Sequence, residues 1–140
     1  MILTYTEKMT ADEYNELRLS VDWKPLTSVQ AERGLAHTAF VVAARDGEKI
    51  VGMGRMLFDF GYTAYLGDVI VRPEYQGKGI GTQIVTRLKD RVMEAAEPGD
   101  KIMFILGAAK GKEAFYEKFG FKRRPNDFNG CGMSMWREKE

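Results

Sequence analysis

The middle of the chain alternates apolar and polar positions with the two-residue period of β-strands. Residues 38–44 form a β-rich run that ends at Asp46-Gly47, a dipeptide typical of hairpin turns. Residues 49–58 supply the partner strand, and residues 65–71 follow after a turn at Gly61-Tyr62. The pattern therefore predicts an antiparallel meander of three strands.

Helical periodicity flanks the meander on both sides. After it, a helix is predicted over residues 79–96, because apolar side chains recur every fourth residue at Ile80, Ile84, Leu88 and Val92. Before it, one helix is predicted to begin at Thr10 or Asp12 and to end at Arg18. A second short helix is predicted over residues 28–33, closed by Gly34.

The remaining elements are shorter. They are a first strand over residues 2–5, a strand over 101–106, a helix over 110–119 with Gly120 as its left-handed cap, and closing strands over 121–123 and 132–137. The predicted order is βααβββαβαββ. It indicates a single domain over residues 1–140 of the α/β (α+β) class, with a mixed sheet of about seven strands and helices on both faces.

Composition narrows the functional classes. The chain has 140 residues, of which 44% are hydrophobic and 29% charged, as in ordinary globular domains. A formal net charge of +1 argues against a general nucleic-acid binder. The single cysteine, the absence of zinc-ligand spacing and the lack of a long apolar run predict a cytoplasmic protein with no metal and no membrane partner.

The segment from Gln76 to Gly81 carries the most specific chemistry. Glycines at 77, 79 and 81 lie between a predicted strand and a predicted helix, where free backbone N–H groups favour a phosphate or pyrophosphate. The dinucleotide motif G-x-G-x-x-G does not fit, because Thr82 occupies the place of its third glycine. A Walker loop over residues 107–112 is one residue too short, and Glu113 stands where Ser or Thr would hold magnesium.

A different signature does fit. Residues 76–81 match the Q/R-x-x-G-x-G/A signature of GNAT acyltransferases, and residues 114–121 resemble the second signature of that superfamily. The chain therefore resembles the GNAT superfamily from about Ala39 to Phe121. Within it, the chain is most similar to the branch of plant and cyanobacterial serotonin (arylalkylamine) N-acetyltransferases, in residues 21–26, 52–55, 67–69 and 130–133, with Asp59 and Trp136. Many members carry Asn seven residues before the Tyr of the second signature, where this chain has Ala109. Whether the coenzyme contact near that strand end is made in this chain is therefore left open.

This resemblance implies a GNAT fold and acetyl-CoA as co-substrate. The acceptor would be the primary amine of a small molecule, attacking the thioester directly in a ternary complex, and a homodimer is an assembly common in the superfamily. A backbone N–H near Val69 or Ile70 would polarise the thioester carbonyl, and Val69 and Val71 would pair with the pantetheine. The implied coenzyme-binding residues are Val69, Ile70, Val71, Gln76, Gly77, Lys78, Gly79, Ile80, Gly81 and Thr82.

Two side chains are predicted to be catalytic. Tyr116 is the candidate general acid for the leaving thiolate, because a phenol is ordinarily protonated at neutral pH, and the alternative is a core aromatic beside Phe115 and Phe119. Asp68 is the candidate base, since the resembling branch has an acidic catalytic residue at this place. Its alternatives are to anchor a cationic acceptor by charge or to form a structural hydrogen bond at a bulge.

The acceptor pocket is predicted less specifically. Trp23, Asp59 and Phe128 are its candidate residues. Trp23 would fit the core equally well, and Asp59 fits a solvated turn carboxylate better than a site for a cationic amine. Two other functions stay open for the chain as a whole. One is a catalytically quiet acyl-CoA-binding module, and the other is an acetyltransferase that acts on protein N-termini or lysines.

Overall fold

The predicted meander is the centre of the fold. A computed structural model describes all 140 residues. The strands are β1 (Leu3–Thr6), β2 (Phe40–Asp46), β3 (Lys49–Phe58), β4 (Thr63–Val71) and β5 (Met103–Leu106). The helices are α1 (Ala11–Ser20), α2 (Ser28–Ala36), α3 (Ile80–Ala95) and α4 (Glu113–Glu117), with a 3₁₀ turn at Pro73–Tyr75.

The five strands form one sheet in the order β1-β2-β3-β4-β5. The pairs β1–β2, β2–β3 and β3–β4 are antiparallel, which confirms the predicted meander and adds the N-terminal strand to it. The chain divides into two compact units, Met1–Phe104 and Ile105–Glu140, and the division falls within β5. No helix combines the length and the apolar composition needed to cross a membrane.

The prediction of about seven strands in the order βααβββαβαββ is wrong. The sheet has five strands, and the two closing strands predicted over residues 121–123 and 132–137 do not form. A strand is stable only when a neighbour pairs its backbone groups, so a local alternating pattern is not sufficient. Here the apolar side chains of the segment stay exposed, with Met133 96% and Trp136 91% accessible.

The helices of the first unit follow their predicted starts more closely than their predicted ends. Thr10, not Asp12, caps α1, because its hydroxyl accepts from the Glu13 N–H while the Glu13 carboxylate accepts from the Thr10 N–H. Helix α2 continues through Gly34 to Ala36, so the prediction that Gly34 closes it is wrong. A glycine within a helix is tolerated at a modest cost when the helix has tertiary contacts, and the side chain of Ala31 in α2 is fully buried.

Helix α4, in the second unit, is shorter than the prediction of residues 110–119. It spans only Glu113–Glu117, and left-handed backbone bounds it at Gly111 (φ 86°) and Gly120 (φ 98°). The predicted left-handed conformation at Gly120 is therefore confirmed, whereas the helix starts later because the chain still turns at Gly111.

Two glycines of β3 allow α3 to lie directly on the sheet. A Cβ atom built on Gly54 would lie 2.6 Å from Ile84 Cγ2 and 2.9 Å from Leu88 Cδ1, both on α3. One built on Gly52 would lie 3.2 Å from Ile84 Cδ1. Between these glycines, Met53 belongs to the core cluster that includes Tyr14 of α1. Because successive strand residues face opposite sides of a sheet, helices cover β3 on both faces.

We expect Gly54→Ala to destabilise the protein by about 1–3 kcal/mol, since the new methyl group overpacks a core without free space. Thermal or urea unfolding measures the change. Gly34→Ala is the matched control, because a Cβ atom at Gly34 meets nothing within 4 Å. In helix α2 it should be neutral or stabilise by roughly 0.5–1 kcal/mol. Equal stability of Gly54→Ala and the wild type would contradict the close packing of α3 on β3.

Candidate active site

Strand β4 contains a bulge at Asp68 and Val69. Met53 pairs with Ile70 and Arg55 pairs with Gly67, so two residues of β4 lie opposite the single residue between Met53 and Arg55, which is Gly54. Asp68 has a φ of 51°, in the left-handed region that few residues other than glycine, Asn and Asp adopt. A bulge interrupts the regular ladder of hydrogen bonds and leaves backbone groups of the extra residue unpaired. The bulge that one of the alternatives for Asp68 assumed is therefore present.

The carboxylate of Asp68 is held by two side-chain donors at one oxygen. The Tyr14 hydroxyl and the Arg55 Nε both donate to Oδ2, the latter at 2.7 Å. The other oxygen, Oδ1, lies 4.0 Å from Arg18 Nη1. The Asp68 side chain is 18% exposed, so this cluster borders solvent without being fully open to it.

Tyr14 is a buried donor in this cluster. It lies on α1 with 1% of its surface exposed. Burial, and then its hydrogen bond to Asp68, raise the pKa of Tyr14 to about 12. The hydroxyl therefore stays protonated throughout the physiological range and can always donate to the carboxylate.

The two arginines of the cluster are also bonded elsewhere. Arg55 Nη1 donates to Thr38 Oγ1 at 3.0 Å. Arg18 Nε donates to the Lys24 carbonyl at 2.8 Å, and its guanidinium lies 5.5 Å from the centre of the Trp23 ring. Trp23, a predicted pocket residue, is half-buried and packs against the core cluster of α1, α2 and the sheet. The structure thus places Trp23 next to the Asp68 cluster through Arg18.

The predicted phosphate turn has the backbone that its chemistry requires. Gly77 and Gly79 have φ values of 76° and 82°, and a Cβ atom at either position would meet nothing within 4 Å. Gly79 is the N-cap of α3, which has no side-chain cap, so the N–H groups of its first turn, from Ile80 to Thr82, have no side-chain acceptor at the cap. The residues present therefore fit an anionic pyrophosphate held by backbone N–H groups.

Several predicted coenzyme residues can contribute only through their backbone. The side chains of Ile70 and Ile80 are buried, at 2% and 1% exposure. The Gln76 side chain is used within the protein, since its Nε2 donates to the Val71 carbonyl at 2.9 Å. Gln76 therefore fixes the end of β4 just before the glycine turn.

Tyr116 lies in the second unit, on α4. Its ring makes edge contacts with Phe115, at a centroid distance of 5.0 Å, and with Phe121, at 6.2 Å. Phe115 also contacts Phe119, at 5.4 Å. Tyr116 is half-buried, so it belongs to an aromatic cluster and still reaches the surface.

The other two predicted pocket residues lie one in each unit. Asp59 lies in the turn between β3 and β4, where its Oδ1 accepts from the N–H groups of Gly61 and Thr63 at 2.8 and 3.2 Å. Phe128 is 93% exposed and lies between the two predicted closing strands that do not form. Sequence reasoning missed Tyr14 and Arg55 as members of the site. An aromatic on an apolar helix stripe carries no motif, and Arg55 stood in a segment of family resemblance without a role assigned to it.

Comparisons with known proteins identify the family. The family model "Acetyltransferase (GNAT) domain" matches residues 36–123, more than half of the chain. The chain belongs to the GNAT acetyltransferase family. It is thus an acyl-CoA-dependent acetyltransferase by family, as the two sequence signatures predicted.

Individual relatives agree with this assignment. An uncharacterized N-acetyltransferase, ycf52, of Porphyra purpurea is 27% identical over 91% of this chain and 74% of its own length. The chloroplastic GCN5-related N-acetyltransferase 2 of Arabidopsis thaliana is 34% identical over 61% of this chain, which is 33% of the plant protein. A probable acetyltransferase of Staphylococcus aureus has a crystal structure that superposes with a TM-score of 0.83, at 27% identity and with 96% of this chain and 100% of that chain covered.

We expect Gly79→Asp to weaken coenzyme A binding about tenfold or more, because it places a negative charge at the anion-binding turn. Isothermal titration calorimetry with coenzyme A measures the change. Gly99→Asp is the matched control, since Gly99 has a φ of 94°, a Cβ atom there meets nothing within 4 Å, and it lies beyond the other end of α3. Unchanged affinity in a folded Gly79→Asp variant would show that coenzyme A binds elsewhere.

Proposed function

We propose that this acetyltransferase transfers the acetyl group of acetyl-CoA to the primary amine of a small molecule, by direct attack in a ternary complex. The observation that carries the proposal is the bulge of β4. There Asp68 is fixed at a break in the hydrogen-bond ladder, and the chain continues through the 3₁₀ turn at Pro73–Tyr75 to the glycine-rich start of α3. Arylalkylamines are the first acceptors to test, because residues 21–26, 52–55, 67–69 and 130–133 resemble the serotonin N-acetyltransferase branch.

The glycine turn and α3 would hold the pyrophosphate of acetyl-CoA. Gly77 and Gly79 keep the space next to the turn open, and the uncapped N–H groups of α3 supply donors. Along β4, backbone groups of Val69 and Val71 would pair with the pantetheine as an added strand does. A backbone N–H at the bulge, near Val69 or Ile70, would then donate to the developing oxyanion of the thioester carbonyl.

Asp68 is proposed to take the proton of the attacking amine. Its Oδ2 already accepts from Tyr14 and Arg55, so the proton would go to Oδ1. The charge of the cluster argues against the alternative in which Asp68 anchors a cationic acceptor. Two guanidinium groups, of Arg18 and Arg55, flank one carboxylate, which leaves a net positive surrounding that repels an ammonium ion.

Tyr116 is proposed to protonate the leaving thiolate of coenzyme A. A phenolic O–H is a donor at neutral pH, and its place in the second signature of the family supports the role. No covalent enzyme intermediate is needed, because bringing amine and thioester together supplies most of the advantage.

The acceptor class is tested with a panel of substrates and acetyl-CoA, following the release of free thiol. We expect turnover with primary amines of small molecules, arylalkylamines among them. Peptides with a free N-terminus or a lysine form the comparison arm. Preference for peptides would replace the small-molecule proposal with a protein acetyltransferase, and coenzyme A binding without turnover on any acceptor would indicate a binding module.

We expect Tyr116→Phe to lower kcat by about 10²-fold while the affinity for acetyl-CoA stays nearly unchanged, because it removes a proton donor used in the transition state. Steady-state kinetics and calorimetry measure the two quantities. Tyr62→Phe is a suitable control, since Tyr62 is 61% exposed in the turn between β3 and β4. Wild-type turnover of Tyr116→Phe would return Tyr116 to a packing role within its aromatic cluster.

We expect Asp68→Asn to lower kcat/KM by up to about 10²-fold at moderate pH, with a smaller defect at high pH. The defect shrinks because free amine becomes abundant and a base less necessary. Asn is the appropriate replacement, since it tolerates the left-handed backbone of position 68. A pH–rate profile beside a melting curve measures the effect.

Three results would reassign Asp68. A higher KM with unchanged kcat would indicate an anchor for the acceptor. A lower melting temperature with both kinetic terms reduced would indicate a structural role. A wild-type profile in a well-folded variant would leave Asp68 with neither catalytic role.

A further inference from the structure

The bulge of β4 needs external support, because a left-handed non-glycine residue is held only when its surroundings fix it. Asp68 is that residue, and it lies where the register between β4 and β3 shifts opposite Gly54. Its side chain reaches away from the strand to two donors, on α1 and on β3. These two hydrogen bonds, together with the longer ion pair to Arg18, are the side-chain contacts that fix the bulged residue.

The two donors differ in what else they do. Arg55 lies on the strand that pairs with the bulge, and it also donates to Thr38. Tyr14 comes from a different element and is almost fully buried, with Ala11, Leu17 and Met53 in the same core cluster. Burying a hydroxyl costs free energy unless it is hydrogen-bonded. The core therefore sets the position of the Tyr14 ring, and Asp68 accepts the hydrogen bond of the Tyr14 hydroxyl. The hydrogen bond from Tyr14 therefore fixes Asp68, and with it the bulge, relative to α1.

We propose that Tyr14 is a positioning residue of the acetyltransferase, which holds the Asp68 carboxylate and thereby the β4 bulge in the conformation used for catalysis. The inference rests on the proposed function of the bulge in binding the thioester and moving the proton of the amine. Tyr14 does not itself contact substrate in this proposal, since 1% exposure leaves no surface for one.

The test is Tyr14→Phe, which removes the hydroxyl and keeps the buried ring. We expect kcat to fall about tenfold or more, because misplacement of catalytic groups by a fraction of an ångström to one ångström is costly. The affinity for coenzyme A should change less than kcat does, because the glycine turn that would hold the pyrophosphate does not depend on this hydrogen bond. Unchanged kcat in the folded variant would overturn the proposal.

Glu13→Gln controls for a loss of stability alone. Glu13 precedes Tyr14 on α1 and pairs with Arg45 of β2, so it also joins α1 to the sheet through an ion pair of similar exposure, but it does not contact the bulge. We expect Glu13→Gln to lower the melting temperature without changing kcat. If both variants reduced kcat in proportion to their melting temperatures, Tyr14 would be only structural.

A double-mutant cycle tests whether Tyr14 acts through Asp68. Asp68→Gly removes the carboxylate while glycine keeps the left-handed backbone free of strain. We expect Tyr14→Phe to reduce kcat in the wild-type background and to add nothing further in the Asp68→Gly background, since residues that act as a unit are not additive. Independent, additive losses would contradict a shared mechanism.

A second readout separates this inference from the proposed function. The amide resonances of residues 67–70 in ¹⁵N–¹H spectra of the free protein report the bulge without any substrate. We expect them to shift or broaden in Tyr14→Phe and to remain unchanged in Glu13→Gln. Unchanged bulge amides in Tyr14→Phe would overturn the positioning role, whereas an enzyme without activity on small amines would refute only the proposed function.

Discussion

The close approach of α3 to β3 is the constraint on which the first unit depends. It exists because Gly52 and Gly54 present no side chains toward α3, so that Ile84 and Leu88 lie against the strand itself. The same Gly54 faces the two bulged residues of β4. Helix α3 and the bulge therefore meet at the backbone of one residue, Gly54.

The electrostatic arrangement at the bulge follows from this geometry. A carboxylate close to the protein interior needs partners, and Asp68 has Tyr14, Arg55 and, more distantly, Arg18. The partners come from α1 and β3, elements that meet β4 only when the sheet and its helices have assembled.

The glycine turn could be predicted because its chemistry is local. Gly77, Gly79 and the start of α3 are consecutive in the chain, and the positive φ values need only glycine at those places. The meander could be predicted for the same reason, since β2, β3 and β4 are joined by short turns. The closing strands over residues 121–123 and 132–137 were wrongly predicted, because a strand depends on a partner that the local pattern does not contain.

By itself, the sequence determined the features whose cause lies within a few residues: the antiparallel meander, the start of α1 near Thr10 and Asp12, the stripe of α3 and the two family signatures. Only the tertiary structure decided that Gly34 lies inside α2, that Asp59 serves a turn, and that Asp68 is bonded to Tyr14, 54 positions away. The reason is physical. A turn or a helix start is set by local backbone preference, whereas the partner of a buried hydroxyl or carboxylate is set by which elements pack together.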